Sequence, residues 1–206
     1  MIKETFISLI TKYSDNDDYS LECWREIEKA YSAKSRYYHN LQHIEHMINS
    51  LAPIASQVTD MDTLLFAIYY HDIIYNATKS TNEHESALRL EKRLSNTTFR
   101  RIPESMALIE ATKAHEPSLD TDTNILLDLD LSILGQSPDD YKIYCDSIRK
   151  EYKIYPDFMY RKGRIKVLQH FLALDSIFKI DYFKSTFEAQ AKHNIKTELE
   201  GLNHSS

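Results

Sequence analysis

Asp60-Met-Asp-Thr-Leu-Leu-Phe-Ala-Ile-Tyr-Tyr-His71-Asp72-Ile-Ile-Tyr75 is the stretch on which the fold turns. From Met61 its apolar residues run almost all the way round a helical period, which predicts a helix buried in the middle of a domain, capped by Asp60 and reaching about Tyr75. Helix punctuation continues on both sides. A first helix is expected from about Ile2 to Tyr13, a second after the polar break Ser14 to Asp18 with Trp24 and Ile27 on one face, and a third from near Tyr38 to Pro53. Ser80 with Glu83 has the capping-box form for a fifth helix to about Leu94, and Pro103 suits the first turn of a sixth. A seventh covers about Asp122 to Leu134 with Gly135 as its stop. An eighth opens at Ser137-Pro138 and runs through Lys153, a ninth runs from Pro156 to about Ile180, and a tenth reaches Gly201.

Composition narrows the classes. The 206 residues include three glycines, Gly135, Gly163 and Gly201, so neither a G-x-G-x-x-G dinucleotide turn nor a G-x-x-x-x-G-K-[ST] phosphate loop can be written. Few stretches alternate with period two, so the expected fold is all-α, a single domain over 1–206 of about ten helices. With 25 Lys plus Arg against 31 Asp plus Glu the formal net charge is −6, and there is no long basic block, so no nucleic-acid partner is expected. No apolar run reaches the roughly 18 residues of a membrane span, so no membrane partner is expected. Met1 to Thr11 lacks the pattern of a secretory leader, and the expected location is cytoplasmic. Cys23 and Cys145 fit no disulfide, zinc or redox spacing and read as buried thiols.

The histidines carry the chemical information. His39 and His43 are four apart on the expected third helix, a spacing that lets two imidazoles converge on one bound group or that simply marks a polar helix face. His71-Asp72 sits at the end of the most apolar helix. A carboxylate there needs a pairing, hydrogen-bonding or metal partner, and the competing reading is a C-terminal cap with the imidazole on free carbonyls. In Ile125-Leu-Leu-Asp128-Leu-Asp130-Leu-Ser-Ile-Leu134, a rotation of about 100° per residue places Asp130 among Leu126, Leu127, Ile133 and Leu134 and Asp128 with Asn124 and Ser132. Asp130 should therefore point inward, as a ligand or as the anchor of a core network, and Asp128 should be solvated. H-E-x-x-H does not occur, and the calcium-like Asp120-x-Asp122-x-Asn124 has Ile125 at its glycine position.

The resulting set, His43, His71-Asp72 and Asp130, resembles the HD-domain superfamily of metal-dependent phosphohydrolases, in particular its stand-alone bacterial branch. The resemblance covers most of the chain. It rests on Arg36-Tyr-Tyr-His39-Asn40-Leu-Gln-His43-Ile, Tyr70-His71-Asp72-Ile-Ile-Tyr75, Asn82-Glu83-x-x-Ser86-Ala87, Ala111-Thr112-x-x-His115, Leu127-Asp128-Leu-Asp130-Leu-Ser-Ile-Leu-Gly135 and Ile148-Arg149-x-Glu151-Tyr152. It implies an all-helical fold in which helices within about 36–134 hold a divalent metal through His43, His71, Asp72 and Asp130, and helices within about 137–200 complete the domain. The Tyr38-His39-Asn40-x-x-His43 stretch is also similar to that of cyclic-nucleotide phosphodiesterases, which implies a proton-donor role for His39.

Two imidazoles and two carboxylates without thiolate suit Mn, Fe, Co, Ni or Zn, with Mg also possible, and leave positions for water and substrate. The expected reaction is hydrolysis of a phosphate ester or anhydride of a small molecule such as a nucleotide, by metal-activated water. Arg149, through its block, and Arg164, in the basic patch Arg161 to Lys166, are the expected phosphate contacts. A second metal would draw on Glu83, His84 or His115, and His115 is equally a candidate acid/base group. The alternatives are an HD-type di-iron oxygenase and a non-catalytic module that binds nucleotide or metal.

Overall fold

The computed structural model describes residues 2–204, and among these the regular elements are all helical. In order they are α1 (Ile2–Ile10), α2 (Asp17–Tyr31), α3 (Leu41–Leu51), a 3-10 segment (Ala52–Gln57), α4 (Met61–Tyr70), α5 (Asn82–Leu94), α6 (Ile102–Ala111), α7 (Thr121–Leu131), a second 3-10 segment (Ser132–Gly135), α8 (Pro138–Glu151), α9 (Asp157–Ala173) and α10 (Asp181–His204). Ten α-helices among the described residues match the all-α expectation. The chain divides into two compact units, Met1–Leu127 and Asp128–Ser206. No helix among the described residues is long and apolar enough to cross a membrane.

In the first unit α4 is the scaffold. Phe66, Ala67, Ile68, Tyr69 and Tyr70 are all buried, and α4 packs against α1, α3, α5 and α6. This is what an all-round apolar pattern requires of a helix in water. Asp60 caps it as expected, accepting from the Thr63 N–H at 3.1 Å and the Thr63 hydroxyl at 2.7 Å. Trp24 and Ile27 of α2 are buried together, and Phe6 packs edge-on against Tyr69 with ring centroids 5.0 Å apart.

Three expected boundaries move, each for a local reason. α3 starts at Leu41 because the Asn40 side chain accepts from the Gln42 N–H at 2.8 Å and the His43 N–H at 3.4 Å. Asn at that position is a strong N-cap, and it leaves His39 in the turn before the helix. α4 ends at Tyr70, not near Tyr75, because the residues that follow are taken up by α5. Asn82 exchanges two hydrogen bonds of 3.0 Å with the Asn76 backbone, and Ser86 Oγ accepts from the Ile74 N–H at 3.1 Å. The Ser80/Glu83 capping box does not form. Thr81 is the N-cap, it makes no side-chain cap bond, and its hydroxyl reaches Glu85 instead.

The second unit packs α10 against the Ser132–Gly135 segment and α9. Gly135 does not act as a left-handed helix stop, since no glycine has positive φ. Its role is close approach: a Cβ there would lie 2.8 Å from the Phe187 carbonyl oxygen. The ninth helix ends at Ala173, and the chain re-enters α10 at Asp181 through a segment held by two carboxylates. Glu188 accepts from the Ile177 and Phe178 N–H groups at 3.0 and 3.2 Å. Asp128 accepts from the Lys179 N–H at 2.8 Å and the Ile180 N–H at 2.7 Å.

Asp128 therefore contradicts its expected solvation, being fully buried. The helical wheel sets Asp128 apart from Leu126, Leu127 and Leu134, but that face is not wet: every residue from Ile125 to Leu129 is buried, whereas Asp130, expected to point inward, is only half-buried. Burial pushes its carboxyl up to about 6, although the two backbone donors and Lys179 pull the other way. Truncating it leaves two half-buried N–H groups without their acceptor, so Asp128→Ala should destabilise the fold by about 2–4 kcal/mol in urea unfolding. A change below about 0.5 kcal/mol, the range of an ordinary surface substitution, would refute this anchor.

Candidate metal centre

The end of α4 builds the centre. His71 is the C-cap, where helix carbonyls lack intrahelical partners, and its Nδ1 lies 2.8 Å from the Ile68 carbonyl. A carbonyl only accepts, so the ring proton is on Nδ1 and the Nε2 lone pair is presented on the other side. The two competing readings of His71 thus coexist, because capping the helix is what aims the ring. His71 Nε2 is 3.2 Å from His43 Nε2 and 3.2 Å from Asp72 Oδ2. His43 and His71 are 3% and 1% exposed, and the donor atoms of His43, His71 and Asp72 all lie within 4.8 Å of one another.

These spacings fit one ion. With metal–nitrogen bonds of about 2.1 Å, two donors of a common ion stand about 3.0 Å apart at a right angle and about 3.4 Å apart at a tetrahedral angle. Both 3.2 Å separations fall between those limits. Three protein donors leave further coordination positions for water or substrate, as catalytic sites require.

Beside the triad, His39 is partly exposed. Its side chain is 17% exposed, its Nε2 is 3.8 Å from Asp72 Oδ2, and its ring stacks on Tyr75 with centroids 4.1 Å apart. Its ring centroid is 5.9 Å from that of His43, so the pair converges although only His43 is helical. Arg36 binds the two halves together. Its guanidinium donates to the carbonyls of His39 at 3.1 Å, Asp72 at 2.5 Å and Ile73 at 2.9 Å. It also lies over the Tyr31 ring, whose hydroxyl accepts from the Asp72 N–H at 3.1 Å. Arg36 lies in one of the resembling sequence blocks but nothing local gives it a role, and no sequence pattern marks Tyr31. No pattern tells that a guanidinium will reach carbonyls 36 and 37 residues away.

The other candidates lie on other elements. Asp130 is half-buried near the end of α7, in the second unit. His115 closes the turn after α6 with φ 53° and donates its N–H to the Ala111 carbonyl at 3.1 Å. His84 pairs with Glu110 at 2.6 Å on the surface, and Glu83 is half-buried on α5. A cavity of about 450 Å³ in the same unit is lined by Thr63, Leu108, Ala111 and Asp122 among others, and none of the three donors lines it. Its acidic wall is engaged internally, since Asp122 accepts from the Thr59 and Asp60 N–H groups at 2.8 Å.

Both arginines expected to meet phosphate have structural partners. Arg149 donates to the Tyr152 and Tyr155 carbonyls at 3.0 Å and to Asp157 at 2.6 Å, bracing the turn between α8 and α9. Arg164 does not belong to a basic surface patch: it is 8% exposed and forms a two-pronged pair with Glu198 at 2.8 and 2.9 Å. Tyr144 accepts from it at 3.2 Å, and Tyr141 and Cys145 also donate to Glu198. The surrounding burial pushes the Cys145 thiol up to about 12, in keeping with an inert thiol.

Burial would raise Glu198 as well, but the bonds and charge of Arg164, with Tyr141 and Cys145, hold it below its ordinary 4.5. Its stabilising contribution is therefore complete above about 4.5 and is lost as pH falls through the depressed value. Glu198→Gln should flatten the acid limb of the stability–pH curve, and Arg164→Ala should destabilise the fold by about 3–5 kcal/mol, both read by chemical denaturation. A fully stable Arg164→Ala protein would return this arginine to the list of ligand contacts. Set against protein-family models, curated proteins and solved structures, the chain matches none.

Proposed function

We propose that this chain is a metal-dependent phosphohydrolase that cleaves a phosphate ester or anhydride of a small molecule such as a nucleotide. One observation carries the proposal: three donors, His43, His71 and Asp72, converge from segments 28 residues apart in sequence with the His71 lone pair aimed at the other two. An ion held there supplies positive charge for phosphoryl oxygens and lowers the pKa of water at the site. Hard and borderline divalent ions, Mn, Fe, Co, Ni, Zn or Mg, suit nitrogen and oxygen donors. Asp130 is taken from the sequence resemblance as a further ligand.

The protein's own groups then have separable tasks. Asp72 offsets positive charge and orients the donor set through its main chain, which Arg36 and Tyr31 hold from both sides. His39, partly exposed and stacked on Tyr75, gives a proton to the departing oxygen, a step worth about 10²- to 10⁴-fold. His115 remains a second acid/base candidate through its sequence block.

A two-histidine, one-carboxylate group also suits a mononuclear or dinuclear iron oxygenase, and that donor set favours it as the second reading. Elemental analysis of protein purified without added metal, followed by a phosphate-release screen over nucleotides and an oxygen-consumption assay, separates the two. His71→Ala and Asp130→Ala should both strip the metal. His39→Ala should keep it while slowing turnover at least 10²-fold, most severely for poor leaving groups. Metal loss in His39→Ala would make that residue a ligand, and oxygen uptake without phosphate release would replace the hydrolase reading.

A further inference from the structure

The second unit carries a surface that the proposed reaction does not use. α9 leaves several large apolar side chains in water. Its buried residues are Arg164 and Leu168, whereas Phe158, Met159 and Val167 are 73%, 49% and 46% exposed. Ile154, in the turn just before it, is 67% exposed. Isolated exposed apolar residues are unremarkable, but Ile154, Phe158 and Met159 fall within six residues at the turn that opens α9, an apex whose apolar density points to an interaction surface. The apex is held in shape, because Arg149 fixes the carbonyls of Tyr152 and Tyr155 and the side chain of Asp157 and lies 4.7 Å from the centroid of the Tyr160 ring.

The charges behind the apex indicate what covers it. Lys162 and Lys166 are exposed on α9, one and two turns beyond Phe158, and so about 6 and 12 Å further along the helix axis. In a protein of net charge −6 this is a local reversal of sign. We propose that the α8–α9 apex docks on an anionic lipid surface, with Ile154, Phe158 and Met159 entering the boundary between headgroups and acyl chains and Lys162 and Lys166 meeting lipid phosphates. Peripheral elements bury their apolar side about 5–10 Å into that boundary, a depth that places a cation one turn back at the phosphate level.

Other occupants fit less well. A second copy related by a two-fold axis would set the patch against itself and make no use of Lys162 and Lys166, set back from it along the helix. A nucleic acid would use the lysines and Phe158 but leave Ile154 and Met159 in water. The contact needs no spanning helix, and it departs from the expectation of no membrane partner, which rested on the absence of such a segment.

The test is flotation of the full chain with vesicles of phosphatidylcholine alone and of phosphatidylcholine with phosphatidylglycerol, at low and high salt. Binding is expected to the anionic vesicles, weakened by salt. The substitutions lie at exposed positions, so circular dichroism should be unchanged. The pair Ile154→Ser with Phe158→Ser should weaken binding at least tenfold, and Lys162→Ala with Lys166→Ala about 30-fold. Absence of binding to anionic vesicles, equal binding to neutral ones, or wild-type binding by the folded serine variant overturns the proposal. So does loss, in the serine variant, of a concentration-dependent dimer or of RNA retention with no vesicle binding by the parent chain.

Discussion

The hydrogen bond from His71 Nδ1 to the Ile68 carbonyl is the constraint around which the centre is arranged. A helix end leaves carbonyls without intrahelical partners, and an imidazole placed there satisfies one while its ring is locked in one tautomer. Remove that bond and the ring can turn or carry its proton on the other nitrogen, and the lone pair facing His43 and Asp72 is lost. Because α4 is buried on nearly every side, the carbonyl that sets the ring cannot drift, so the rigidity of the core passes directly to a donor atom.

A second layer of contacts works on main chain rather than on donor atoms. Arg36 joins the turn of His39 to the loop of Asp72 and Ile73, while Asn82 and Ser86 of α5 hold Asn76 and Ile74. Three segments that meet the site are thus tied by side chains bound to backbone. Such bonds are insensitive to the identity of the residues whose carbonyls they use, which is why residues with no metal-binding chemistry belong to the same quoted blocks as the histidines. In the second unit the same device recurs, with Asp128 and Glu188 gathering N–H groups ahead of α10.

The arginines show how charge misleads when read along a sequence. Arg164 sits among Arg161, Lys162 and Lys166, and its neighbours do face solvent or lie half-exposed. Its own side chain turns inward to Glu198, a residue with nothing around it to mark a buried partner. Burial of such a pair is tolerable only because tyrosine and cysteine groups complete the hydrogen bonding.

Periodicity and punctuation determined the helical class, the burial of α4 and the caps at Asp60 and Ser137, since these follow from local backbone preference and from hydrophobic pattern, whereas the grouping of His43 with His71-Asp72 was implied by the family resemblance and not by any local rule. The Asn40 cap is also local, and it is what sets His39 outside α3. What required tertiary structure was the direction of every polar side chain whose partner lies far along the chain: Asp128 to residues 179 and 180, Arg36 to 72 and 73, Arg164 to 198. A helical wheel divides a helix into faces but does not say which faces meet water. For a helix covered all round, the choice between a solvated and a buried carboxylate is made by whichever backbone N–H groups are brought against it.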